Sequence, residues 1–241
     1  MYILAIKEWR QFFSSLTGYL VIIIFLFLYG LLLFVFPSTS LLDFGYATLN
    51  SFFNLAPWVL LFLVPAVTMR SFADEYRQGT FELLKTLPFT PAQIVYGKFL
   101  GSLLIILLAL LPAIIYAFSM QALSTLGGLD TGATIGSYCG LILLASVFTA
   151  AGICASSYTN NTVIAFISAA GICLLLFMGF EAISMLPVFS SGTGYYIEML
   201  GLKFHYNSIS KGVIDVRDII YFLLVIFLFM AVTQKNISNR Q

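Results

Sequence analysis

Side chains able to do chemistry are scarce in this sequence, and most of them crowd into one strip. Residues 70–93 hold Arg70, Asp74, Glu75, Arg77, Glu82 and Lys85, six of the 21 charged side chains in 241 residues. Acids and bases interleaved this closely suit a polar contact surface. Elsewhere the candidates stand alone. Glu181 is the acid nearest the middle of an apolar run, where a lone carboxylate has ion- or proton-handling chemistry. It also lies six residues before Pro187, a position that fits the outer edge of a span. His205 is the only histidine, and no second histidine or nearby cysteine joins it as a metal ligand. Cys139, Cys154 and Cys173 lie inside apolar runs without metal-ligand spacing, so they are expected to be reduced and buried. No metal site, catalytic residue or cofactor site is expected on this chain. An intramembrane serine protease would need a nucleophile with a histidine base, and no G-x-S-x-G elbow is present.

The elements that position these residues follow from composition. Mean hydropathy is +1.02. Charged residues make up 9% of the chain against about 25% in soluble domains. So few charges cannot solvate the surface of a soluble globule of this size, and the chain reads as an integral membrane protein. A net charge of +1 excludes the basic excess that a nucleic-acid partner needs. The N-terminal apolar run has no A-x-A-like cleavage site and is long enough to stay in a bilayer, so no cleaved signal is expected.

A helix crosses the hydrocarbon core with about 20 apolar residues. Six runs meet that need: 19–36, 52–69, 94–120, 133–158, 162–186 and 216–233. The third opens on Thr90-Pro91-Ala92-Gln93, which has the form of a capping box with Pro at the first helical position. Pro112 is expected to kink it. The second must leave the core at Arg70, because a mid-bilayer arginine costs about 2.5–3.5 kcal/mol on insertion scales. In the sixth, Arg217 and Asp218 are expected at the interface, where long side chains snorkel.

An even number of spans puts both termini on one side. That side carries eight of the eleven Lys and Arg residues (Lys7, Arg10, Arg70, Arg77, Lys85, Lys98, Lys235, Arg240) and four of the ten acids, a net +4. The other side carries three bases and six acids, Asp43 among them, a net −3. The positive-inside rule then makes both termini and the 70–93 strip cytoplasmic.

Before the first span, Ile3, Ile6, Trp9, Phe13 and Leu16 recur at helical spacing, with Lys7, Arg10, Gln11 and Ser14 on another face. Residues 1–17 are therefore expected to form an amphipathic helix lying in the interface. The strip is expected to be a helix–turn–helix hairpin. Gly79 ends one short helix in a left-handed conformation, Thr80 caps the next, Glu82 sits near its positive end, and Leu87-Pro88 stops it. Its apolar stripe of Phe72, Tyr76, Phe81, Leu83, Leu84 and Leu87 needs a cover, supplied by the ends of the spans or by another protein.

The segment "DEYRQGTFELLKTLPFTPAQIVYGKFLG" resembles the cytoplasmic coupling segment of ABC-2 type permeases, whose pattern is E-x-x-x-G-T-x-E-x-L-x-T-x-P after the second span. It matches at Glu75, Gly79, Thr80, Glu82, Leu84, Thr86 and Pro88. The amphipathic start and six spans are similar to the same family over the whole chain. The segment "KFHYNSISKGVIDVRDIIYF", residues 203–222, is similar to the one before the last span in gliding-motility-associated permeases of Bacteroidota. Copper-accessory permeases of nitrous-oxide reduction carry a similar segment.

The resemblance implies an all-α fold with six transmembrane helices, placed in the bacterial inner membrane. It also implies an ATPase dimer, bearing ATP and Mg, that grips the hairpin. Glu75, Arg77, Gly79, Thr80, Glu82, Leu84, Thr86 and Pro88 are the expected contact. The chain has no G-x-x-x-x-G-K-[ST] loop, so the ATPase must be a separate subunit. A second permease, identical or different, is also implied.

Glycines every fourth residue, Gly97/Gly101 and Gly132/Gly136/Gly140, form small faces. They serve packing within one chain or a seam between two permeases. The loop 187–215 lines an exit, meets a partner or caps the bundle. A secondary transporter would show intramembrane ionisable groups and an internal repeat, and neither is evident. A membrane anchor without transport is the remaining rival.

Overall fold

The computed structural model describes residues 2–35, 49–123, 130–187, 192–212 and 215–239. Phe36, Asp43 and Arg240, with parts of the outer loop, lie outside the described residues. The described residues are helical, with no strand among them. Helix α1 (Tyr2–Phe13) meets α2 (Leu16–Phe34) at a 75° bend. Then come α3 (Asn50–Thr68), the short α4 (Ala73–Gln78) and α5 (Thr80–Thr86), α6 (Pro91–Leu110) and α7 (Ala113–Leu123). They are followed by α8 (Thr131–Ser157) and by α9 (Thr162–Leu174), which runs through a π-helical turn, Leu175–Gly179, into α10 (Phe180–Ser184). Last are α11 (Thr193–Glu198), α12 (Leu202–Ser210) and α13 (Val216–Asn239). Five of the described helical stretches are long and apolar enough to cross a membrane, and the bent α1–α2 pair brings the number up to six. This is an all-α membrane protein.

The helix starts follow local chemistry. Thr90 and Gln93 close the capping box on α6, with the Thr90 side chain accepting from the Gln93 N–H and the Gln93 side chain from the Thr90 N–H. Asp130 caps α8 and Asn161 caps α9, neither of them singled out in the sequence. The expected break at Pro112 falls between α6 and α7. Pro57 lies inside α3 and cannot bond the Phe53 carbonyl. The Tyr206 hydroxyl of α12 donates to that carbonyl at 2.8 Å instead, and so ties α12 to α3.

Helix α8 is the centre of the bundle. Its span is 83% buried, against 22% for the span begun by α9, and it packs on α13, α9, α3, α12 and α6. Its sequence explains this. Gly, Ala and Ser recur along it, and small side chains let neighbouring backbones approach. At Gly152 an added Cβ would lie 2.1 Å from the Thr68 hydroxyl of α3. A large apolar cluster fills the middle of the bundle. A second one, with Leu4, Phe72, Phe81, Leu84, Ile94 and Ile153, gathers at the hairpin end.

Candidate functional site

The hairpin is built as its residues demand. Gly79 has φ of 70°, the left-handed conformation that glycine adopts without Cβ strain, and it joins α4 to α5. Leu87 is extended, as the residue before a proline must be, and ends α5. The Thr80 side chain does not cap α5. Its hydroxyl donates back to the Glu75 carbonyl at 3.4 Å, so Thr80 closes the turn from the other side.

The start of α4 is satisfied from a distance. The buried Ser156 hydroxyl on α8 accepts from the Phe72 and Ala73 N–H groups, both at 3.1 Å, and donates to the Met69 carbonyl at 3.0 Å. Three orphan backbone groups at the α3–α4 junction are thus met by one side chain 84 residues away in sequence. The pairing of α3 with α8 creates this contact, and no local pattern could have revealed it.

The apolar stripe divides. Phe72, Phe81 and Leu84 are buried against the bundle's own end, and Phe72, Tyr76 and Phe81 pack ring to ring. Leu83 and Leu87 stay exposed, at 66% and 47%. The chain therefore covers one half of the stripe and leaves the other outside.

The charges divide in the same way. Glu75, expected on the contact surface, is 5% exposed and points under the hairpin. Its carboxylate lies 2.9 Å from Lys7 on α1 and 3.0 Å from Lys98 on α6. The Lys98 ammonium is buried and makes further contacts. It lies 2.7 Å from Glu8 and 2.6 Å from the Ser71 carbonyl, and 4.8 Å above the Phe72 ring. From its sequence neighbours alone, Lys98 counts only as a topology charge. Asp74, its side chain mostly buried, pairs with Arg77 at 3.0 Å and lies 3.9 Å from Arg70, and both arginines are exposed. Arg77, Gly79, Thr80, Glu82, Thr86 and Pro88 are exposed, and Leu84 is buried. Between α1 and the hairpin runs a groove of about 710 Å³, with Ile3, Leu4, Leu83 and Leu87 on its apolar side and Lys7 and Gln78 on its polar side.

Helix α1 contributes Leu4 and Ala5 to the interior and leaves Tyr2 and Ile3 exposed. It packs on α6 because Gly101 has no side chain. A Cβ there would lie 2.7 Å from the Glu8 Cβ and 3.0 Å from the Ala5 carbonyl oxygen. Gly97 is buried on α6. Gly136 and Gly140 face Ile209 and Gly212 of the same chain, while Gly132 is exposed beside Asp130. The Gly101, Gly136 and Gly140 faces thus serve packing within this chain.

The isolated candidates find partners at the opposite end. Glu181 binds the Lys203 ammonium through both carboxylate oxygens, at 2.6 and 2.8 Å. His205 lies between the Asp218 carboxylate, at 2.7 Å from Nδ1, and the Met199 carbonyl, at 2.8 Å from Nε2, with Tyr221 stacked on its ring. Asp218 is therefore a buried partner and does not sit exposed at an interface, whereas Arg217 is exposed. Short helices α11 and α12 occupy much of the outer loop. Cys154 and Cys173 are buried, but Cys139 is exposed, because it falls on the outward face of α8. No group of three or more His, Cys, Asp or Glu residues that could hold a metal occurs among the described residues.

The described helices form an all-α bundle of membrane length that carries a short helical hairpin at one end. The chain matches the family described as "ABC-2 family transporter protein" over residues 2–232, and it belongs to that family. It is thus a multi-pass membrane permease of the ABC transporter class, and membership implies an ABC ATPase partner. No individual curated protein matches it.

Proposed function

We propose that the α4–α5 hairpin is where a separate ATPase subunit drives this permease. The observation that carries the reading is the division of the hairpin into two faces. Its inner face is locked to α1, α6 and α8 by the Lys98 ion pairs and Ser156, so a push on it moves those helices together. Leu83 and Leu87 are exposed on the hairpin, as are Arg77 and Glu82, a mixture of apolar and charged surface that suits a protein contact. Glu75 works from beneath as a brace. ATP and Mg belong to the partner, since this sequence carries no P-loop.

The charge asymmetry supports placing the hairpin and both termini in the cytoplasm, with the chain in the inner membrane. Segment 203–222 supports placing the complex in the gliding-motility-associated group, with a second permease, where ATP hydrolysis drives export or mechanical work. Glu82→Lys is the test. Insertion and folding should be unchanged, while copurification of the ATPase should weaken. Unchanged copurification and unchanged coupled ATP turnover would favour a non-transporting anchor.

A further inference from the structure

The two helices that flank the hairpin, α3 and α6, each meet a proline in the half of the span away from it. Pro57 lies inside α3, and Pro112 separates α6 from α7. Neither proline turns its span back, for Asn50–Gln78 and Pro91–Ala122 each continue as one stretch. A proline offers no N–H to the carbonyl four residues earlier, so it leaves a gap in the backbone ladder. Helix bending concentrates at such gaps. The hairpin halves of the same two helices are held differently. There the Lys98 ammonium of α6 binds the Ser71 carbonyl at 2.6 Å, just past the end of α3, and the Ser156 hydroxyl of α8 binds the Met69 carbonyl at 3.0 Å.

Tyrosine hydroxyls from other helices meet the backbone at both breaks. Before Pro57, the Phe53 carbonyl accepts from Tyr206 of α12 at 2.8 Å, and the neighbouring Phe52 carbonyl accepts from Tyr29 of α2 at 2.9 Å. Just past Pro112, the Ala113 carbonyl at the start of α7 accepts from Tyr138 of α8 at 2.9 Å. Tyr138 touches both breaks, because its ring also packs edge-on against Phe53 at 5.0 Å. Tyr116 of α7 meets Phe52 at 6.1 Å, so one aromatic cluster joins the two. We propose that Pro57 and Pro112 form a paired hinge, with the Tyr206 and Tyr138 hydroxyls as its clasps. On the hairpin side of the hinge, α3 and α6 move as one body. On the other side, the first turns of α3 tilt together with α7 and α12 when the clasps let go. One hydrogen bond is a modest net interaction, so a clasp opens without unfolding the bundle. The hinge is built into this chain and does not depend on the ATPase contact.

The test is amide hydrogen exchange of the full chain in lipid nanodiscs, which reads local opening segment by segment. Tyr206→Phe keeps the ring and removes only the hydroxyl. It should speed exchange about fivefold over residues 54–60 and 202–210, the change expected for one hydrogen bond, and leave residues 63–68 and the hairpin as they were. Tyr138→Phe should do the same over residues 113–117. Pro57→Ala supplies the missing N–H to the Phe53 carbonyl. It should slow exchange over residues 54–60 and make Tyr206→Phe nearly silent in the same chain. Faster exchange in every helix of Tyr206→Phe would show a general loss of stability and overturn the inference. Unchanged exchange in Tyr206→Phe, or an effect that persists undiminished beside Pro57→Ala, would overturn it too. Should Tyr206→Phe fail to fold, equal exchange over residues 54–60 in Pro57→Ala and the unaltered chain would be the overturning result.

Discussion

The Lys98 ammonium on α6 lies 2.7 Å from the Glu8 carboxylate on α1, 90 residues earlier in the chain. It also reaches Glu75 at 3.0 Å, so one buried cation joins the N-terminal helix, the hairpin and a membrane helix. Removing one partner of a buried pair leaves an uncompensated charge, which costs about 3–5 kcal/mol. Lys98→Met should therefore lower the stability of the detergent-solubilised protein by that much. Lys7 pairs with the same Glu75, but its side chain is 48% exposed. Lys7→Met should cost at most about 1 kcal/mol. Chemical denaturation of the two variants checks the contrast, and equal losses would contradict the central place of Lys98.

Gly101 and Gly152 are contact points between helix backbones. Gly101→Ala would force its Cβ to within 2.7 Å of the Glu8 Cβ, and Gly152→Ala to within 2.1 Å of the Thr68 hydroxyl. Each should cost about 1–3 kcal/mol through overpacking. At Gly30 and Gly171 an added Cβ would meet nothing within 4 Å. Alanine there should be neutral, or stabilising by up to about 1 kcal/mol from helix propensity. Midpoints of thermal unfolding for the four variants decide the matter.

Gly79 turns the hairpin at φ of 70°. Alanine in that conformation costs about 1–2 kcal/mol, and asparagine costs less. Gly79→Ala should loosen α4 from α5 and speed tryptic cleavage at Arg77. Gly79→Asn should digest more slowly than Gly79→Ala. Identical digestion of wild type and both variants would show that the turn is not held as described.

His205 Nε2 faces a carbonyl, which can only accept, so that nitrogen carries a proton. Nδ1 lies 2.7 Å from the Asp218 carboxylate, so both ring nitrogens are held. Asp218→Ala removes the hydrogen-bond partner of the buried Nδ1 and should cost about 1–3 kcal/mol. Asp218→Asn leaves a side-chain amide that can donate to Nδ1 of neutral His205, and its loss should be clearly smaller. Thermal unfolding of the two variants distinguishes a hydrogen-bonded pair from simple packing.

Local signals in the sequence were legible wherever one residue or one turn decides a conformation. The Thr90–Gln93 capping box, the left-handed Gly79, the Leu87 stop and the Pro112 break are all where short-range rules put them. Thr80 is the instructive exception. The residue type suited a cap, but the tight turn at Gly79 brings its hydroxyl to the Glu75 carbonyl. The π turn at Leu175–Gly179 carries no sequence mark of its own.

By itself, the sequence determined the class of the protein. Sixty-one per cent hydrophobic residues in long runs leave a chain no option but helices that satisfy their own backbone in lipid. It also determined where the polar hairpin lies along the chain. Only the tertiary structure decided which hairpin residues face inward. The stripe and the charges are continuous in sequence, and the division between Phe81 and Leu83, or between Glu75 and Glu82, depends on α1, α6 and α8 packing beneath them. Lys98, Ser156 and the His205–Asp218 pair were unreadable for the same reason. A buried polar group is defined by partners distant in sequence, and close packing of the helices brings those partners together.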